Sequence, residues 1–153
     1  MNKVHILDCT LRDGGYCNQW KFGADNKRKI LNGLVNANIN IIECGYLTDR
    51  VLPDINSTQF ASFEEINMFV PADNNHFMFV VMINYGEYSL ENIPCYQGKG
   101  VKGIRVAFHK NDVDNAIEYC RKLKEKGYAV FVQPMICLSY SDTEFIQLIY
   151  KVN

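Results

Sequence analysis

Residues 77–83, Phe-Met-Phe-Val-Val-Met-Ile, would place an apolar side chain on both faces of any strand they form, and residues 38–43, Asn-Ile-Asn-Ile-Ile-Glu, come close to doing the same. Strands covered on both faces are the mark of parallel sheets, whose helical crossovers lie over the sheet. The rest of the chain supplies the crossovers. A short strand over 4–7 leads through a Gly-rich loop into a helix over 25–37, with Ile30, Leu31, Leu34 and Val35 at helical spacing. A second strand over 39–44 is followed by a long polar loop through Pro53 and a shorter helix over 62–70, opened by Ser62 and Glu65 as a capping box. A third strand occupies 76–83 and a fourth 103–108. An amphipathic helix over 113–126 stops at Gly127, a fifth strand spans 129–135, and a last helix begins near Asp142.

Strands alternating with helices define an α/β protein with a parallel sheet in one domain over 1–153, without linker or low-complexity stretch. The alternation fits an open doubly wound sheet and a (β/α) barrel equally well. Composition narrows the function. The chain has 153 residues and a formal net charge of −1 at pH 7 without blocks of either sign, so nothing marks it for nucleic acid or an anionic membrane. No apolar run approaches the roughly 20 residues of a membrane span, and the polar tip before the first strand does not read as a signal peptide, which places the protein in the cytoplasm. Cys9, Cys17, Cys44, Cys95, Cys120 and Cys137 are scattered, with no Cys-x-x-Cys pair, and read as reduced packing residues rather than a disulfide frame or zinc site.

In both kinds of parallel α/β fold, ligands bind where strands run into the following loops. Strand one ends in Asp8-Cys9-Thr10-Leu11-Arg12-Asp13-Gly14-Gly15-Tyr16, strand two in Glu43 and strand three in Asn84. Strand four holds Arg105 and precedes His109, and strand five holds Gln133. Charges within apolar runs must pair with each other or with a ligand. Asp8, Glu43 and Arg105 could be a purely structural ion cluster with Gly14 and Gly15 shaping a turn, but costly buried charges gather at functional sites. Gly14 and Gly15 also permit a backbone path that brings Arg12 and Asp13 close to a ligand.

The stretch Leu7-Asp8-Cys9-Thr10-Leu11-Arg12-Asp13-Gly14-Gly15-Tyr16, with Ile41-Ile42-Glu43-Cys44-Gly45 at the second strand, resembles the opening signature of the superfamily of hydroxymethylglutaryl-CoA lyase, 4-hydroxy-2-oxovalerate aldolase and the isopropylmalate synthases. The resemblance implies a TIM-type barrel of eight β/α units, of which this chain would be the N-terminal part with about five. It implies that Asp13 binds a divalent metal, Mg²⁺ or Mn²⁺, that Arg12 stabilises an enolate oxygen, and that Glu43 completes the catalytic set. Asn84, Arg105 and Gln133 are the candidate substrate-binding residues. The family's remaining metal ligands form a His-x-His pair, which His5, His76 and His109 do not provide, so the ligand set is incomplete and the chain by itself is expected to be inactive. Tyr16 stands near the place of the family's histidine base, as a proton carrier, a substrate hydrogen-bonder or a buried structural residue. Asn18, Trp20 and Tyr46 line the same mouth or simply pack. His109 beside Lys110 reads as a surface histidine.

The implied reaction is cleavage of a carbon–carbon bond in a small hydroxy-2-oxo acid, the small-molecule partner, yielding pyruvate or a related 2-oxo acid. The alternatives are a Claisen-type acyl transfer from an acyl-CoA and a non-catalytic binding or assembly module. An open sheet edge would favour a homo-oligomer under either reading.

Overall fold

The strand order never doubles back. The structure, a computed structural model, describes residues 4–71 and 76–152, which leaves the polar tip at 1–3 outside the described residues. Six strands, β1 (Leu7–Asp8), β2 (Ile41–Leu47), β3 (Gln59–Phe60), β4 (Met78–Asn84), β5 (Gly103–Phe108) and β6 (Ala129–Pro134), form one sheet in the order β1-β2-β4-β5-β6, with β3 pairing off that path beside the end of β2. Every pairing between these strands is parallel, and an isolated bridge, Lys21 with Ser57, is antiparallel. A doubly wound sheet reverses its order at a switch point. Here each unit lies beside the next, and the sheet curls into a half-barrel of α/β type.

The helices are α1 (Thr10–Asp13), α2 (Gly15–Asn18), α3 (Ala24–Asn36), α4 (Phe63–Asn67), α5 (Val113–Glu125) and α6 (Asp142–Val152). On α5, Ala116, Ile117, Cys120 and Leu123 recur at helical spacing and are buried in the same core as Ile104, Val106 and Phe108 of β5. Leu31 of α3 joins that core, together with Ile42 and Cys44 of β2 and Phe79, Val81 and Ile83 of β4. Full burial of each such aliphatic side chain stabilises the fold by about 2 kcal/mol. The alternate residues of the same strands face the inside of the half-barrel, where Tyr46, Met82 and Ala107 form a second cluster with Trp20 and Met135.

Several expected boundaries shift. The first strand is only Leu7–Asp8, because the Asp8 carboxylate accepts hydrogen bonds from Thr10 N–H and Thr10 Oγ1, both at 3.0 Å, and turns the chain into α1. The expected Gly-rich loop therefore contains two helical turns, α1 and α2. The second strand runs on to Leu47, and the polar loop after it contains β3. Helix α4 ends at Asn67. Its cap is Ser62, whose hydroxyl accepts from Glu65 N–H at 3.3 Å, while Glu65 reaches back to Ala61 N–H at 2.7 Å rather than to Ser62. All six cysteines are free, but only Cys44 and Cys120 are buried packing residues; Cys17, Cys95 and Cys137 are exposed and Cys9 is half-buried.

The half-barrel leaves apolar surface open on one side. The residues of β6 are all half-buried, and Phe145, Ile146, Ile149 and Tyr150 of α6 are exposed. Among the described residues no helix is long and apolar enough to cross a membrane.

Candidate active site

Three side chains meet inside the half-barrel. Glu43 points inward from β2 and is 0% exposed. Arg12, carried by α1 from the end of β1, donates Nε–H to Glu43 Oε1 at 2.9 Å, and Arg105 of β5 brings its Nε to 3.1 Å from Glu43 Oε2. The second contact is close in distance but the N–H is not aimed at the oxygen, so Glu43 Oε2 and Arg105 Nε are both buried without a hydrogen bond. Arg105 Nη2 meets the sulfur of Met82 at 3.8 Å, a weak acceptor. Arg12 also pairs through Nη1 with Asp13 Oδ1 at 2.5 Å.

Two guanidiniums thus face one buried carboxylate, and a buried carboxylate between cations is tolerated only with such partners. Burial pushes the Glu43 carboxyl above the usual carboxylate range, against the opposing charges of Arg105 and Arg12. For Arg12 burial acts downward, but the hydrogen bond and charge of Glu43 and the charge of Asp13 outweigh it and raise its pKa. With Asp13 on Arg12, two guanidiniums balance two carboxylates, and the guanidinium N–H groups not used in these pairs are the donors an anion could meet.

Asp13 is half-exposed, and its Oδ2 accepts from Cys9 Sγ at 2.9 Å. Burial and the neighbouring Asp13 carboxylate push the Cys9 thiol up to about 11, so it remains a protonated donor. Among the described residues no group of three or more His, Cys, Asp or Glu side chains could hold a metal ion. Asp13 offers one carboxylate, and one carboxylate does not hold a divalent ion against water. The described residues therefore supply at most one ligand of a metal site, Asp13.

Above the ion triad the strand ends form an aromatic mouth. The β2–β4 register shifts between Glu43 and Tyr46, and this bulge puts Tyr46 on the inner face with Glu43. Gly45 makes it possible, for its φ is +150° and a Cβ there would stand 2.2 Å from the Thr58 carbonyl oxygen. Trp20 lies between Tyr16 and Tyr46, with ring centroids 5.1 and 5.7 Å away. Gly15 leaves the room, because a Cβ would lie 2.2 Å from the indole. Gln19 and Trp20 both have left-handed backbone, at φ 55° and 66°, which costs of order 1 kcal/mol or more for each. Trp20 is held there by its N–H on the Gly15 carbonyl and by Thr58 N–H on its own carbonyl, each at 2.9 Å. The Tyr46 hydroxyl donates to Glu87 Oε2, and Glu87 Oε1 pairs with Arg50 at 3.2 Å and accepts from Asn84 Nδ2 at 3.4 Å. Burial and Glu87 together raise the Tyr46 pKa.

The expected site residues thus fall into two groups. Arg12, Asp13, Glu43 and Arg105 are brought together. Asn84 and Gln133 share the inner face through their common register partner Ala107, one layer beyond Met82 and Arg105. Tyr16 is 72% exposed, with its ring on Trp20, so it is not the buried structural tyrosine that was one of its readings. Asp8 is bonded to Thr10, and His109 is exposed beside the first turn of the crossover. Glu87 and Arg50 were missed by sequence reasoning. The signal for Glu87 was a carboxylate three residues beyond Asn84, in the loop that must follow an inward-facing strand end. In comparisons with known proteins, no family model matches the chain and no curated protein matches it.

Proposed function

We propose that these residues form the enolate-stabilising part of a divalent-metal-dependent aldolase, a carbon–carbon lyase acting on a small 4-hydroxy-2-oxo acid, within a TIM-type barrel whose further units pair with β6. The observation that carries the reading is Arg12, fixed at a strand end by Glu43 at 2.9 Å and Asp13 at 2.5 Å. Those contacts use Nε and Nη1, and Nη2 is the donor assigned to the developing oxyanion. A planar, pre-oriented guanidinium stabilises charge on an enolate oxygen better than a mobile ammonium does.

In the reaction the bond between C3 and C4 breaks, its electron pair moves onto the 2-oxo oxygen as an enolate, and the C4 hydroxyl loses its proton as the aldehyde forms. The enolate then takes a proton at C3. Arg12 holds the oxyanion, and Arg105, Asn84 and Gln133 face the substrate's carboxylate and chain. Tyr16 stands at the mouth as the proton carrier or hydrogen-bond donor for the C4 hydroxyl. In this reading Asp13 would be one ligand of Mg²⁺ or Mn²⁺, and such an ion would supply Lewis-acid polarisation of the 2-oxo group. The apolar residues of α6 support further β/α units or a second copy of the chain against this side.

Oxalate mimics the planar enolate of pyruvate and provides the test. Calorimetric titration should show binding that Arg12→Ala and Arg105→Met each weaken at least tenfold. Absence of binding at millimolar oxalate, or binding indifferent to both replacements, would overturn the assignment.

A further inference from the structure

The bond-breaking chemistry uses the ion triad and leaves most of the aromatic mouth unexplained. We propose that Tyr16, Trp20 and Tyr46 form a subsite for a neutral, hydroxyl-rich segment, so that the substrate of the proposed aldolase is a 4-hydroxy-2-oxo acid with a polyhydroxylated tail, a sugar acid. The sugar-acid assignment rests on the aldolase reading; the subsite stands on its own geometry.

Tyr16, 72% exposed, and Trp20, half-buried, present ring surface 5.1 Å apart between centroids, and Tyr46, 7% exposed and 5.7 Å from Trp20, forms the buried floor beneath them. Trp20 is displayed from two successive left-handed residues, of which Gln19 is the C-cap of α2. The platform adjoins the reacting end. Tyr46 and Trp20 pack with Met82, whose sulfur lies 3.8 Å from Arg105 Nη2. A ligand held by the guanidiniums at one end would lay its other end across the rings.

The chemistry of the mouth selects among ring-seeking ligands. Aromatic faces are negative and attract positively polarised edges, including cations and C–H bonds next to oxygen. The carboxylate beside the rings, Glu87, is already engaged by Tyr46, Arg50 and Asn84, which leaves it poorly placed to hold a cation. Anionic groups are drawn to Arg105 instead of the rings. Two side-chain oxygens here, Asn84 Oδ1 beside Glu87 and Asn18 Oδ1 two residues before Trp20, are buried without a hydrogen-bond partner. Unmatched acceptors call for a ligand that donates, and a neutral donor with polarised C–H faces is a polyol or sugar.

Trp20 is the single tryptophan of the chain, so its fluorescence reports on the platform directly. Titration with D-arabinose and D-glucose should produce a saturable change in Trp20 emission. Tyr16→Ala, at an exposed position that does not threaten the fold, should weaken the apparent affinity about two- to tenfold. Asn84→Ala should weaken it as well. No saturable response to either aldose, or a stronger response to tetramethylammonium or cyclohexanol, would overturn the proposal. Oxalate calorimetry on the same sample separates the two readings. Oxalate binding without aldose binding removes the subsite and leaves the aldolase. Aldose binding without oxalate binding removes the aldolase, and with it the sugar acid, and leaves the subsite.

Discussion

Replacing Lys27 with Met should stabilise the fold. Lys27 is 1% exposed on α3; its Nζ donates to the Ser57 carbonyl at 2.6 Å and stands 3.8 Å from the Phe69 ring centroid and 4.9 Å from that of Phe60. Burial pushes its pKa down from 10.5 to about 8, against the weaker upward pull of Asp54 and Glu65. A depression of that size corresponds to roughly 3 kcal/mol against the charged form. The two ring contacts return about 1–2 kcal/mol of this. Lys27→Met should then gain about 1–2 kcal/mol near pH 6, where the lysine is charged in both folded and unfolded states. Between pH 8 and 10.5 the unfolded chain still holds the proton that the folded one has released, so Lys27 contributes stability that rises with pH and the advantage of the variant shrinks. Buried Cys44 and Cys120, raised by burial, act in the opposite direction above about pH 9, so the difference between wild type and variant carries the test. Urea denaturation at pH 6, 8 and 10 measures it. A variant less stable than wild type at pH 6, or a difference constant with pH, would show that the buried ammonium carries no such cost. The same ammonium holds Ser57 next to Thr58, which bonds both Trp20 and Tyr46 through the backbone, so the stabilised variant should bind aldoses less well.

Gly15→Ala should displace the indole, since the new Cβ would lie 2.2 Å from it; a red shift of Trp20 emission with loss of the aldose response would show this, and unchanged emission would count against the packing described. Ser62→Ala removes the α4 cap and should lower stability by about 1 kcal/mol, a fall in Tm of about 2–4 °C by calorimetry.

The parts of the fold legible in the sequence are those whose signal is local and uninterrupted. β5 lies over the expected 103–108, and α5 and β6 end within a residue of expectation, because a mostly apolar run or a helical stripe spans each. The inward charges were legible for the same reason, as Glu43 and Arg105 interrupt apolar runs. The stretch 10–18 was not, because it coils only once the Asp8 side chain has capped Thr10. β3 has two residues, too few to show a period, and exists because the chain returns beside Tyr46 and Leu47. The aromatic mouth depends on that return and on the bulge at Gly45, neither of which a spacing rule contains. Glu87 joins Tyr46 across 41 residues, and its role appears only when β2 and β4 are side by side.

A crystal structure with oxalate bound decides whether Arg12 holds the oxyanion. Oxalate should lie on the inner face, with an oxygen on Arg12 Nη2 and the far carboxylate toward Arg105, while Glu43 keeps its contact to Arg12 Nε. Oxalate bound elsewhere, or an Arg12 turned away from Glu43 and the inner face, would contradict that role.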